Sequence, residues 1–284
     1  MIGGHGFDSR QLHFFIMATK TTEKYGVELE FTRPGYGQTS SSNEINKAFQ
    51  ASVEKLNKKV DATGRDGGGV EVNNPPFNFD FYRTDSEEFN TFFEYVENCS
   101  AEHKFNGNSD VAGMHVHVDR DVMSFESFKK MLTFLQLEEV LNFLKTFTRR
   151  KNRTSFYNVE TTFGKTGTKC STFTKEDYDN AGNFKGNNAI VLNTHGRSGT
   201  IEFRFFNGTN LKKDIAQAVQ FIRAMIFFIK SSKREVKSFK AFLKYVKDYK
   251  KTYPDLVKYM IENKILPLTC PKPVRKRILK SVPA

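Results

Sequence analysis

The chain has 284 residues, 38% of them hydrophobic, with 29 Phe, no Trp and three Cys. That is enough to bury one large core or two modest ones, and no run approaches the ~18 consecutive apolar residues of a membrane-spanning helix, because Arg223 interrupts the most apolar stretch, Phe221 to Ile229. The formal charge of +12 sits at one end, with 16 Lys and Arg against 4 Asp and Glu from Lys230 onward and 28 against 28 before it, while Cys99, Cys170 and Cys270 are too few and too scattered for a disulfide framework or a CxxC zinc site. A soluble protein of a reducing cytosol is expected.

Residues 1–20 read as an N-terminal extension without fixed structure. Their apolar run, Phe14 to Met17, is too short for a secretory signal, and Met17 would itself serve as a start. A strand at 25–32 follows. Ser41 with Glu44 forms a capping box for a first helix over 42–59. Asp61 to Gly69 reads as a Gly-rich turn into a strand at 70–72, which Asn73-Asn74-Pro75-Pro76 terminates because proline cannot continue a central ladder. Asp85 and Glu88 are expected to cap a second helix carrying Phe89, Phe92, Phe93 and Val96. A strand at 113–119 precedes Ser124 to Thr146, whose apolar residues cover most of a helical circumference and predict the central buried helix. Residues 149–188 look irregular. Strand 189–193 is expected to pair with strand 200–206, before a helix over 214–230. In the basic tail, Lys237, Lys240, Lys244, Lys247 and Lys251 recur at helical spacing opposite Phe239, Phe242, Leu243 and Val246. This amphipathic helix offers either a solvated lysine face or a surface for an acidic polymer or nucleic acid.

The chemistry lies in four segments: Val27-Glu28-Leu29-Glu30-Phe31, Val70-Glu71-Val72, Met114-His115-Val116-His117-Val118 and Ile201-Glu202-Phe203-Arg204-Phe205. With the period of two that a strand imposes, the Glu, His and Arg residues share one face and the apolar residues the other. One Glu-x-Glu strand alone is usually a solvated sheet face. Four together, holding four Glu, two His and one Arg without a Lys, outline a metal site. Hard cations such as Mg2+ and Mn2+ prefer carboxylate oxygens, and Mg2+ is commonly shared with substrate phosphates. An Arg two residues beyond a ligand Glu suits a phosphate, which its planar fork binds bidentately. Zinc is a poor match to a set dominated by Glu.

Other motifs carry less. Gly164-Lys165-Thr166 resembles the end of a P-loop, but Val159 stands where its glycine is required. Gly67-Gly68-Gly69 reads as a tight turn, and Asp66 either supports the metal cluster or shapes that turn. Arg149, Arg150, Lys151 and Arg153 either offset a helix dipole or supply a phosphate-reaching arginine.

Taken in order, Gly26-Val27-Glu28-Leu29-Glu30-Phe31, Gly69-Val70-Glu71-Val72 before Pro75-Pro76, Gly113-Met114-His115-Val116-His117 and Thr200-Ile201-Glu202-Phe203-Arg204-Phe205 resemble the signature of the amidoligase family. These are carboxylate-amine ligases of the glutamine synthetase and glutamate-cysteine ligase superfamily. The resemblance covers residues 25–209 and implies an α+β fold, a curved antiparallel sheet with a polar metal-binding front and helices on its apolar back. It implies a catalytic domain over 21–232, with 233–284 as a basic helical segment docked on it.

The implied activity is ATP-dependent amide bond formation through an acyl-phosphate, with Mg2+ or Mn2+, in the cytoplasm, that of the host if a phage encodes the chain. Glu30 and Glu71 would hold the ion nearer the substrate, and Glu28, His115 and Glu202 the ion bridging the ATP phosphates. His117 would face the nucleotide or acyl-phosphate, and Arg204 would stabilise the transferred phosphoryl group. Catalysis would then fall to Glu71, His117 and Arg204, with the partners being ATP, a carboxylate and an amine, one of them peptide-like. Residues 149–188 offer no evident counterpart of the ammonia-site loops of glutamine synthetase, and its small N-terminal domain is not expected here either, which disfavours free ammonia and glutamate as substrates. Two readings compete: a metal-dependent hydrolase or nuclease using the same Glu/His face, and an inactive structural protein of ligase fold.

Overall fold

The computed structural model describes residues 23–32, 61–65, 69–74, 76–102, 106–107, 112–149, 173–180, 189–193, 199–232 and 238–267. The helix expected at 42–59, the extension 1–20, Asp66 to Gly68, Gly164 to Thr166, Arg150 to Arg153, Lys237 and the end of the tail lie outside them. The fold mixes helices with one antiparallel sheet. Its strands are β1 (Lys24–Phe31), β2 (Asp61–Arg65), β3 (Gly69–Asn73), β4 (Phe77–Asn78), β5 (Gly113–Asp119), β6 (Ile190–Asn193) and β7 (Thr200–Asn207). They lie in the order β2-β3-β1-β5-β7-β6, with β4 pairing the start of β1.

Alternation produces this sheet. Tyr25, Val27, Leu29 and Phe31 of β1, Met114, Val116 and Val118 of β5, and Ile201 and Phe203 of β7 are all buried in one core. The residues between them go to the opposite face, which fixes the register wherever the back is buried. One irregularity matters. Val116 pairs with Phe203 but Met114 with Phe206, so Arg204 and Phe205 together oppose His115 alone. This bulge lets Phe205 and Phe206 both be buried although they are adjacent in sequence.

The stretch read as a Gly-rich turn, 61–69, contains β2, which pairs with β3 in the register Thr63 to Glu71. Gly64 and the polar residues of this edge strand hide it from an apolar count. β3 ends at Asn73, where the proline pair foretold a stop, and Asn74 then takes over the pairing with β1. Its backbone N–H donates to the Val27 carbonyl at 3.1 Å, and its Oδ1 accepts from the Val27 N–H at 2.5 Å. Its Nδ2 donates to the Tyr82 hydroxyl, which donates to the Tyr25 carbonyl at 2.7 Å.

The helices are α1 (Glu87–Glu102), α2 (Phe125–Leu135), α3 (Glu138–Phe147), α4 (Lys175–Asn180), α5 (Lys212–Ser231), α6 (Phe239–Asp248) and α7 (Pro254–Glu262). Two expectations change here. At the start of α1 it is Ser86 Oγ that accepts from the Phe89 N–H, while Asp85 forms a bidentate pair with Arg83. The single helix expected over Ser124 to Thr146 is α2 and α3, broken at Gln136 and Leu137, where i to i+3 bonds close α2 and extended Leu137 precedes Glu138 and Glu139 at the start of α3. Its apolar residues seemed to surround one axis because they serve two.

The central helix is α5 instead, with 15 of its 20 residues buried. It packs on β5 and against α2, α6 and α7. Polar residues in it are matched. Arg223 pairs with Glu23 at 3.0 Å and lies over the rings of Phe79 and Phe227. Gln220 is fully buried: its Oε1 accepts from the Asp255 and Leu256 N–H groups at 2.9 and 3.0 Å, and its Nε2 donates to Asp255 at 2.7 Å. One side chain thus caps α7 and ties it to α5. Gln220→Ala should destabilise the protein by about 2–3 kcal/mol, since it leaves a buried carboxylate and two N–H groups short of partners; urea unfolding checks this.

Candidate metal centre

Four adjacent strands supply the front face. β1 presents Glu28 and Glu30, β3 Glu71, β5 His115 and His117, and β7 Glu202 and Arg204. Register sets the neighbours: Glu28 lies opposite His115, Glu30 opposite Glu71, and His117 opposite Glu202. His115 is the hub. Its Nδ1 is 2.6 Å from Glu28 Oε1 and 3.3 Å from Glu202 Oε1, and its Nε2 is 3.9 Å from Glu30 Oε1. Only 1% of its side chain is exposed.

Ligand atoms of Glu28, His115 and Glu202 lie within 4.8 Å of one another, as do those of Glu28, Glu30 and Glu71. Glu28 belongs to both sets. Around them, the Gly113 N–H donates to Glu30 Oε2, Asn73 Nδ2 donates to Glu71 at 3.0 Å, and Arg204 Nε is 3.1 Å from Glu202. Just beyond β7, Gly208 donates to the carbonyl of Ala112, the neighbour of Gly113, Asn210 Oδ1 accepts from the Gly107 N–H, and a Cβ on Gly208 would collide with the Gly107 carbonyl.

Charge is concentrated here. Burial raises the Glu28 carboxyl, but the hydrogen bonds and charges of His115 and His117 outweigh it and hold the group well below the usual carboxylate range. Glu71 shifts the other way, through burial and then the negative charge of Glu28, which together outweigh the opposing Asn73 hydrogen bond and His115 charge. Carboxylate oxygens crowded around one imidazole, with a neighbouring group already resisting ionisation, are the donor set of a hard divalent cation, so these residues fit Mg2+ or Mn2+.

At the rim, His117 is 23% exposed, with Nε2 3.3 Å from Glu28 Oε2 and Nδ1 3.5 Å from Thr200 Oγ1. It borders a cleft of about 220 Å3, lined also by Gly26, Asn73, Asn74, Asp119 and Thr200.

No family model matches the sequence, and no curated protein matches it. Among solved structures the chain is similar to the one described as the crystal structure of the complex between prokaryotic ubiquitin-like protein Pup and its ligase PafA, at 11% identity and a TM-score of 0.38. The likeness covers 78% of this chain and 50% of that one, so the chain spans about half the length of that solved chain. A likeness at this level settles neither fold nor activity, and the site stands on its own geometry.

All seven residues that alternation singled out meet on one face, Glu28, Glu30, Glu71, His115, His117, Glu202 and Arg204. Arg149 does not join them. It lies two residues past α3 with a φ of 55° and forms a bidentate pair with Asp214 at 2.5 and 2.6 Å, an anchor for the first turn of α5. Sequence reasoning missed Asn73, Asn74, Thr200 and the Gly113 N–H. Asn73 carried a signal, lying two residues beyond Glu71 on the same face; a backbone N–H carries none.

Because the Glu71 carboxyl is raised, ionising it costs stability as pH climbs above the ordinary carboxylate range. Glu71→Gln should therefore raise the metal-free Tm by about 1–2 °C at pH 7.5, after discounting for solvent screening, with the gain fading towards pH 4. The same variant should bind Mn2+ at least tenfold more weakly by calorimetry.

Proposed function

We propose that this protein is an ATP-dependent carboxylate-amine ligase that works through an acyl-phosphate, with a peptide-like partner among its substrates. The observation that carries the reading is Glu28 shared between two cation-holding sets, with Arg204 beside one of them. Two adjoining cations suit a triphosphate held against a second anionic substrate. The order of the four motifs, which resembles that of the amidoligases, supports the same assignment.

Glu28, His115 and Glu202 would hold one Mg2+ and Glu28, Glu30 and Glu71 another; when bound, the ions neutralise the phosphate oxygens and the substrate carboxylate. The remaining work falls to the chain. A carboxylate attacking a γ-phosphate meets like-charge repulsion, and Arg204, fixed by Glu202, places a permanent positive charge where the transferred phosphoryl group gains negative charge. His117 stands at the cleft and orients the nucleotide phosphates or the acyl-phosphate. The carboxylate oxygen bonds phosphorus as the bond to ADP breaks; the amine then attacks the acyl carbon, loses its proton and expels phosphate. An active-site carboxylate would take that proton, and of the four Glu71 is half-buried, whereas Glu28, Glu30 and Glu202 have 13%, 8% and 9% of their side chains exposed.

Incubation with Mg2+, ATP and a pool of amino acids and peptides should give ADP release that depends on an added amine, and a product whose mass equals the two substrates less water. Arg204→Ala should lower kcat by about 100-fold or more with a smaller change in Mn2+ affinity. Phosphodiester cleavage without ATP, abolished by Glu202→Ala, would replace this reading with a nuclease.

A further inference from the structure

Behind the sheet, α6 turns Phe239, Phe242 and Val246 into the core and leaves Lys240, Lys244 and Lys247 exposed on its outer side. Lys250 and Lys251 are exposed in the turn that follows, and Lys258 and Lys264 are exposed on and after α7. The exposed acids of residues 238–267 are Asp248, which pairs with Lys244, and Glu262. A helix face selected only for stability would interleave acids at i, i+4, because like charges at that spacing repel by about 0.2–0.5 kcal/mol per pair. Here Lys240 and Lys244 stand four apart on the helix. Lys240, Lys244 and Lys247 are about 4.5–6 Å apart along the axis, and Lys250 and Lys251 extend this row of point charges into the following turn.

We propose that this face binds the phosphate backbone of a nucleic acid without regard to base sequence. An evenly repeating anion matches a row of flexible ammonium groups, and each Lys that meets a phosphate releases a condensed counterion. The row contains no arginine fork, which is the group that reads guanine edges, so contact stops at the backbone. A membrane surface is disfavoured because apolar residues would have to enter it, and the exposed large hydrophobic among the described residues is Leu211, on another element. A peptide partner would need side-chain pockets or a strand edge, neither of which this helix offers.

The proposal is independent of the ligase reading. α6 packs on α5, which packs on the apolar back of the sheet, so the lysines and the Glu/His front lie on opposite sides of it. Bound nucleic acid is thus a tether, not a substrate fed to the carboxylates.

Fluorescence anisotropy with a labelled 20-base-pair duplex of arbitrary sequence, from 25 to 300 mM salt, tests this on the full chain. The variant K240Q/K244Q/K247Q/K251Q keeps helix propensity and removes four charges; K145Q/K175Q/K213Q/K230Q removes four exposed charges elsewhere. The row variant should bind at least tenfold more weakly at 50 mM salt, with a salt slope shallower by about 3–4, while the control changes less than threefold and both keep wild-type Mn2+ affinity. Failure of the wild type to bind, equal losses in both variants, or a strong preference among duplex sequences would overturn the proposal.

Discussion

The structure turns on a concentration of negative charge that the fold itself makes no effort to dilute. Four glutamates from three strands converge on one nearly inaccessible imidazole, and the permanent positive charge the described residues set beside them is Arg204. The consequences run both ways: His115 and His117 draw Glu28 into its charged form, while Glu71 is pushed towards its neutral one. A protein selected only for stability would not keep such an arrangement, because buried like charges cost more than a packed apolar face. A divalent cation would reverse the sign of that cost, and in the function proposed above two of them would let a triphosphate and a carboxylate that otherwise repel each other meet there.

Rigid backing makes the concentration tolerable. The strand faces are locked by the core behind them, where α5 lies buried on nearly every side, and the few polar groups of that helix find fixed partners in Glu23, Asp255 and the first turn of α7. Where pairing between strands fails, local substitutes hold the backbone in place. Asn74 stands in for a strand neighbour at Val27, and the bulge opposite His115 lets β7 serve the front with Glu202 and Arg204 and the core with Phe205 and Phe206. These features decide where Glu28 and Arg204 sit, although none of them supplies a candidate cation ligand.

The candidate site was legible in the sequence because one rule governs it. A period of two places Glu28 with Glu30, and Glu202 with Arg204, whatever the rest of the fold does, and the strands proved adjacent in the order that brings Glu28 against His115. Helices were harder to read. Arg223 and Gln220 made α5 look less buried than the stretch from Ser124 to Thr146, because periodicity counts apolar side chains and is blind to a polar one whose partner lies far along the chain. β2 was missed for a related reason: an edge strand containing Gly64 needs no apolar alternation. Ser86 displaced Asp85 as the cap because Arg83, two residues before Asp85, captured that carboxylate, a competition spacing does not reveal.

The most direct measurement of the account is electron paramagnetic resonance of Mn2+ titrated into wild-type protein and Glu28→Gln. Since Glu28 belongs to both ligand sets, two Mn2+ should bind the wild type close enough for spin coupling, and the single substitution should weaken both together. Saturable binding that the substitution leaves intact, or no binding by the wild type, would contradict it.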